Sequence, residues 1–180
     1  MSRTPARTLL PALLATLLAG CGLYQSVGDS SAAFARSIFY KQVKTLHLDF
    51  NGRAAMNTDS HDMSGLSVPT LVRIYALRDD KAFRQASYDQ LLDDSREVLG
   101  ADLLDERAVL VRPDEGAQLS VPLDGSARVV AVAALFRQPD TLTDAWRLVL
   151  TRDELDPDQP RVVELADNRL TLRALRGVSP

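Results

Sequence analysis

The sequence is poor in cysteine, histidine and aromatic residues. One cysteine, Cys21, and two histidines stand among 180 residues. With a single thiol no intrachain disulfide can form, so the stability of the fold has to come from packing. Aromatic residues make up 6% of the chain, which provides few candidates for a surface that stacks against sugars.

The chain also lacks an excess of basic residues. There are 21 Lys and Arg against 24 Asp and Glu, and residues 1–20 contain two of the arginines. A mildly acidic chain has no basic stripe of the kind that nucleic-acid binding requires, so we expect no nucleic-acid partner. Beyond the N-terminal region, no apolar stretch approaches the roughly 18 residues that indicate a membrane span.

The first twenty residues have the composition of a secretory signal. Arg3 and Arg7 precede an apolar run, Leu9 to Leu18, which is shorter than the about 20 residues that span a bilayer. The run ends in Leu18-Ala19-Gly20-Cys21, which resembles a bacterial lipobox. This motif predicts diacylglycerol modification of the Cys21 sulfur, since a thiolate alkylates readily. It also predicts cleavage of the chain just before Cys21. The alternative is a plain exported protein whose signal ends near a cysteine.

The residue after the cysteine bears on sorting. Gly22 stands where an Asp would, in enterobacterium-like sorting, retain a lipoprotein in the inner membrane, so it resembles an outer-membrane address. We assign residues 1–20 to the signal peptide and residues 21–40 to the acylated N-terminus and a small, polar tether. Residues 41–180 are then long enough for one domain with its own core.

Eight short strands are predicted in that domain, from alternating residues as in 43–51, from a run that is apolar on nearly both faces in 70–77, and from the turn residues between the later strands. A capping-box pattern, Ser87-Tyr88-Asp89-Gln90, and an apolar stripe ending at Gly100 predict a small helical insertion at about 79–100. Because the strands show no βαβ rhythm, the sequence predicts an all-β, two-sheet sandwich. The predicted strands are 43–51, 70–77, 108–112, 118–121, 127–136, 146–151, 161–165 and 169–175.

The stretch from Ala54 to Ser67 has no periodicity and is longer than most hairpin connections, which is typical of a functional or disordered loop. Its apolar residues Met56, Met63 and Leu66 fit two interpretations. They form an adaptable contact surface, or they fold back onto the edge of the sandwich. The sequence leaves both open.

The same loop contains the residue types of a hydrolytic triad within Thr58–Asp62. A triad requires convergence of nucleophile, base and acid, whereas consecutive residues diverge, and no glycine-framed nucleophile turn is present. The spacing of Asp59, His61 and Asp62 matches no common metal-ligand pattern. We therefore predict no enzyme, no metal and no cofactor, and interpret the segment as a polar loop.

Taken in chain order, these features resemble the type VI secretion lipoprotein family TssJ, also called VasD or SciN. The resemblance is carried by the lipobox at Cys21 and by four stretches of the domain. One departure is the turn RPDEG at 112–116, which is looser than the family's usual Pro-Gly. The four stretches are LHLDFNGRAAMN, LSVPTLVRIYALRDDKAF, AVLVRPDEGAQLSVPL and VVAVAALFRQPDTLTDAWRLV.

The resemblance implies a transthyretin-like sandwich and a function. It implies a periplasm-facing outer-membrane lipoprotein that binds the periplasmic C-terminal region of TssM and, with TssL, forms the type VI membrane complex. It also implies that the loop between strands 1 and 2 contacts TssM. A competing hypothesis is a lipoprotein that binds a small ligand or glycan through the same scaffold. The candidate contact residues are Asn57, Asp59, Ser60, His61, Asp62, Met63, Ser64 and Leu66.

The lipobox generates the first prediction. Cys21→Ser removes the only sulfur that can be acylated, so the protein should be recovered as soluble periplasmic protein or as an uncleaved precursor. Membrane fractionation with and without globomycin measures both outcomes. A Cys21→Ser protein that is still processed and still fractionates with the outer membrane would show that Cys21 is not the anchor.

Overall fold

The computed structural model describes residues 43–59, 61 and 65–175. These residues belong to one unit, Gln42–Pro180; a second unit, Met1–Lys41, lies outside the described residues. None of the helices in the described part is long and apolar enough to cross a membrane. In chain order the elements are β1 Thr45–Gly52, β2 Thr70–Leu77, α1 Lys81–Gln85, α2 Tyr88–Leu99, β3 Leu103–Val111, β4 Gly116–Pro122, β5 Val129–Ala134, β6 Arg147–Thr151, β7 Arg161–Ala166 and β8 Arg169–Leu172.

The strands form two four-stranded sheets, in the orders β4-β1-β7-β8 and β3-β2-β5-β6. All pairings are antiparallel except that of β1 with β7, which is parallel. Since β1 and β2 lie in different sheets, the segment between them has to cross the end of the sandwich. The predicted all-β, transthyretin-like sandwich with a small helical insertion is confirmed.

The core lies between the sheets and follows from the alternation that predicted the strands. In β1, Leu46, Leu48 and Phe50 are buried while the residues between them reach the surface. β5 is different, because it is buried on both faces. Its Ala131 and Ala133 lie on the face turned away from the core, where small side chains let the helical insertion approach the sheet.

The helical insertion covers the outer face of the second sheet. The predicted capping box is present, since the Gln90 amide donates to Ser87 Oγ at 3.2 Å and the Ser87 amide donates to Gln90 Oε1 at 2.8 Å. The Phe83 ring packs on Tyr75 with ring centroids 5.9 Å apart. The helices are therefore stabilised by a cap at α2 and by aromatic burial against β2.

The third strand is longer than predicted, because it begins at Leu103 rather than at residue 108. Charged residues hide its beginning: Asp105 pairs with Ala76, a core residue, and forms an ion pair with Arg107 at 2.9 Å. β3 is an edge strand. Charged side chains on an edge strand discourage pairing with other chains, so the pattern that misled the prediction protects the edge.

The sandwich has two distinct ends. β1 has eight residues, which separates its ends by about 26 Å at about 3.3 Å per residue. We call one the loop end; it holds the segments 53–69, 112–115, 135–146 and 167–168. We call the other the Val43 end, because the chain from Cys21 enters the domain there.

One arginine fastens the Val43 end. Arg152 donates from Nη1 to the carbonyls of Asp124 at 3.0 Å and Ala127 at 2.6 Å, and from Nη2 to the carbonyl of Val43 at 2.5 Å. It thereby joins the start of the domain to the β4–β5 and β6–β7 connections. Hydrogen bonds from a charged donor are stronger than neutral ones.

We predict that Arg152→Ala lowers the free energy of unfolding by about 1–3 kcal/mol, because three carbonyls lose a charged donor. Arg128→Ala is the matched control, since Arg128 is an exposed arginine that lines a cleft at the Val43 end together with Arg152. This variant should change stability by less than about 0.5 kcal/mol. Urea unfolding followed by circular dichroism measures both. If both variants unfold at the same urea concentration, Arg152 does not fasten the Val43 end.

Candidate functional site

The β1–β2 loop, residues 53–69, begins with a close approach of two backbones. A Cβ added to Gly52 would lie 2.3 Å from the carbonyl oxygen of Arg112 and 2.7 Å from Met56 Sδ, so only glycine fits there. The Met56 side chain is fully buried. Of the two interpretations left open for the apolar loop residues, Met56 follows the second, because it folds back onto the sandwich.

Asn57 holds the loop from inside. It is 2% exposed and has a positive φ of 50°. Its Nδ2 donates to the Pro69 carbonyl at 3.2 Å, and its Oδ1 accepts from the Arg137 amide at 2.7 Å. The side chain thus ties the beginning of the loop to its end and to the β5–β6 connection. Asn57, predicted as a contact residue, is placed by the structure as an internal brace.

Asp59 makes a second link between the same two segments. Its carboxylate accepts from Gln138 Nε2 at 2.5 Å and pairs with Arg137 Nη2 at 3.2 Å. It also accepts from the backbone amide of His61 at 2.8 Å, which turns the chain at that point. Its carboxylate is thus bound from two sides, by the loop itself and by the neighbouring connection.

The loop is also fastened to the β7–β8 turn. Asn168 Nδ2 donates to the Thr58 carbonyl at 2.9 Å, and the Asp167 amide donates to the Ala55 carbonyl at 2.8 Å. Asp167 and Asn168 both have positive φ, a conformation that Asp and Asn tolerate better than most residues. The first half of the loop is therefore held on two sides, by residues from both sheets.

In the second half of the loop the structure describes His61 and residues 65–69. His61 is exposed and Leu66 is 63% exposed, while Ser67 Oγ donates back to the Ala54 carbonyl. Of the predicted contact residues that are described, His61 and Leu66 are therefore the ones open to solvent. The remaining predicted residues lie outside those the structure describes: Cys21, Ser60, Asp62, Met63 and Ser64.

Sequence reasoning missed the residues that brace the loop, namely Arg137, Gln138 and Asn168. A signal was available, because Asn57 and Asp59 are short polar residues of the type that hydrogen-bonds nearby backbone in turns. Their partners could not be found from the sequence, since they lie about 80 or more residues away along the chain.

The described polar side chains at the loop end are engaged in hydrogen bonds and ion pairs with one another. Asp59 bonds to the backbone of His61, and its oxygens are taken up by Arg137 and Gln138 rather than by an imidazole. Within the described ranges, no three His, Cys, Asp or Glu side chains gather closely enough to hold a metal ion. The described aromatic residues are buried or half-buried, so this part of the chain offers no exposed ring for a sugar.

Comparison with known proteins agrees with this arrangement. Residues 44–171 match the family described as "Type VI secretion lipoprotein, VasD, EvfM, TssJ". A chain of the solved structure "T6SS protein TssM C-terminal domain (869-1107) from EAEC" is 38% identical, with a TM-score of 0.67, over 74% of this chain and 100% of that one. A chain of the structure "Type VI membrane complex" is 41% identical, with a TM-score of 0.69 and the same coverage.

A third solved structure supports the fold alone. It is described as "Crystal structure of the T6SS lipoprotein TssJ1 from Pseudomonas aeruginosa" and is 24% identical over 73% of this chain and 98% of that one, with a TM-score of 0.58. No curated protein matched the sequence.

The chain therefore belongs to the type VI secretion lipoprotein family, as the lipobox and the strand motifs predicted. This is a family of secretion-system lipoproteins and not a known enzyme family. In this chain the fold consists of two sheets, helices that cover one of them, and a braced loop between β1 and β2.

The brace generates a prediction about stability. Asn57→Ala leaves the Pro69 carbonyl and the Arg137 amide without their partner and places alanine at a positive φ, so the free energy of unfolding should fall by about 1–3 kcal/mol. His61→Ala is the control, because His61 is exposed; it should change stability by less than about 0.5 kcal/mol. Urea unfolding measures both, and an Asn57→Ala protein as stable as wild type would mean that Asn57 does not brace the loop.

Proposed function

We propose that this protein is the outer-membrane lipoprotein of a type VI secretion membrane complex and binds the periplasmic C-terminal region of TssM. Acylation at Cys21 anchors it, and Gly22 directs it to the outer membrane. The loop end carries the TssM contact, with the stretch from residue 60 to Leu66 as its centre. With TssL, the two proteins form the membrane complex.

The proposal rests mainly on the solved structures that contain the two relatives above 30% identity. Their chains come from solved structures described as a TssM C-terminal domain and as a type VI membrane complex. Each of those chains is covered over its full length. The likeness therefore extends over a whole folded chain and is not confined to one motif.

The position of the loop within the sandwich supports the proposal. The chain from Cys21 enters at Val43, and the β1–β2 loop lies at the opposite end, about 26 Å away along β1. A protein held to a membrane through its Val43 end can thus direct the loop end away from that membrane. The bonds of Asn57 and Asp59 fix the first part of the loop before a partner arrives, which reduces the entropy lost on binding there.

The alternative, a lipoprotein that binds a glycan or small ligand, has less support. Glycan sites use exposed aromatic rings, and the described rings serve the core instead: Trp146 is 1% exposed and contacts Tyr88 edge-on at 5.0 Å. The two clefts at these rings and at Arg152 are open to solvent, and charged, polar and apolar groups are mixed in their lining. Small-molecule sites are usually enclosed and apolar.

Replacement of part of the loop at constant length tests the proposed contact while the bracing residues stay unchanged. Residues 60–66 are replaced by a Gly-Ser segment of equal length, while Asn57, Asp59 and Ser67 stay in place. We expect the protein to remain folded and to lose most of its affinity for the purified TssM periplasmic region. Biolayer interferometry measures binding of the mature chain carrying Cys21→Ser, and circular dichroism measures folding.

A single substitution narrows the test. Leu66→Asp should weaken binding by about 1–3 kcal/mol, because interfaces concentrate their energy in a few apolar anchors. Leu92→Asp is the matched control, since Leu92 is a 40% exposed leucine on α2, outside the loop. If the wild-type protein binds but both the replaced loop and Leu66→Asp leave the affinity unchanged, the contact lies elsewhere. If the wild-type protein does not bind, the proposed function is wrong.

A further inference from the structure

The β1–β2 loop is too small to form a stable interface by itself. The segment from Asn57 to Ser67 spans eleven residues, and Asn57 is turned inward. A standard protein interface buries about 800 Å² on each partner and involves roughly 20–30 residues a side. A partner that docks on the loop must therefore also contact neighbouring surface at the loop end.

Three other connections lie at that end. The β3–β4 turn, residues 112–115, and the β7–β8 turn, residues 167–168, are short and made mostly of charged or polar residues. The β5–β6 connection, residues 135–146, is longer and carries Leu142, which is 98% exposed. Among the described residues it is the most exposed large apolar side chain.

The turn that carries Leu142 is held in one conformation without using the leucine side chain. Asp140 accepts from the amides of Leu142 and Thr143 at 3.1 Å and from Thr143 Oγ1 at 2.5 Å. The bonds from Thr143 lower the pKa of the Asp140 carboxyl. Because this folded-state pKa is depressed, the bonds persist at neutral pH and are lost only as the pH falls through the lowered value.

The connection is fixed on both sides of this turn. On one side, Arg137 and Gln138 bind Asp59 of the β1–β2 loop. On the other side, Arg147 pairs with Asp144 at 2.6 Å and donates to the carbonyls of Phe83 and Ala86 in the helical insertion. Leu142 is thus presented on a braced turn in a connection that is bonded to the β1–β2 loop, which is how a preorganised contact is built.

We propose that Leu142 is a second anchor of the partner-docking surface and inserts into an apolar recess on the same TssM periplasmic region that contacts the β1–β2 loop. This inference rests on the proposed function, because it assigns further surface to the same partner. The occupant follows from continuity: the loop and the β5–β6 connection share one end of the sandwich and are joined through Asp59, and each exposes a leucine there, Leu66 and Leu142.

The test compares Leu142→Asp and Leu142→Ala with wild type in binding to the purified TssM periplasmic region. Leu142→Asp should weaken binding about tenfold or more, and Leu142→Ala by a smaller factor. Both variants should unfold at the wild-type urea concentration, because Leu142 packs against almost nothing. Leu92→Asp and Leu92→Ala are the matched controls and should bind as wild type does.

A second measurement uses the acylated full-length chain in cells that contain TssM. A photoreactive residue at position 142 should crosslink to TssM, as should one at position 66, whereas one at position 92 should not. This readout does not depend on a loss of affinity, so it supports or opposes the inference even when the effect of Leu142→Asp is small.

Two results would overturn the inference and leave the proposed function standing. In the first, the wild type binds and Leu66→Asp weakens binding, but both Leu142 variants bind as wild type does and position 142 gives no crosslink. In the second, sedimentation shows that the wild type self-associates, Leu142→Asp abolishes this, and TssM binding is unchanged. No binding by wild-type protein would instead contradict the proposed function.

Discussion

The crossing of the chain from one sheet to the other between β1 and β2 is the constraint on which the rest of this structure depends. Consecutive strands that pair would need only a tight turn, but β1 and β2 lie in different sheets, so residues 53–69 must span the end of the sandwich. Asn57 fixes this crossing through the Pro69 carbonyl and the Arg137 amide. A surface loop that is braced in this way can serve as a binding element.

The two ends of the sandwich are held by different contacts. At the Val43 end, Arg152 secures the point where the chain from the lipobox enters. At the loop end, ion pairs and amide bonds join the β1–β2 loop to the β5–β6 connection, and Arg147 joins that connection to the helical insertion. The strands therefore connect two ends that are fastened by separate sets of hydrogen bonds.

The alternation in β1, the apolar run of β2 and the capping box at Ser87 were sufficient to predict these strands, the helical insertion and the two-sheet fold, because they are local patterns. The position of the site was predicted through the long aperiodic loop. The sequence could not show that Met56 and Asn57 in that loop are buried and that Leu66 is exposed. That difference depends on Arg137 and Asn168, which are distant in sequence and near only after folding. Leu142 was missed for the same reason.

Hydrogen exchange with and without the TssM periplasmic region tests the central claim most directly, because it locates the partner on the folded surface without substitutions. We expect added protection in residues 53–69 and 137–146, at the loop end. At the Val43 end, in residues 43–46, 123–128 and 152–160, we expect no added protection. Protection confined to the Val43 end, or to the outer faces of the sheets with both connections unchanged, would contradict the account.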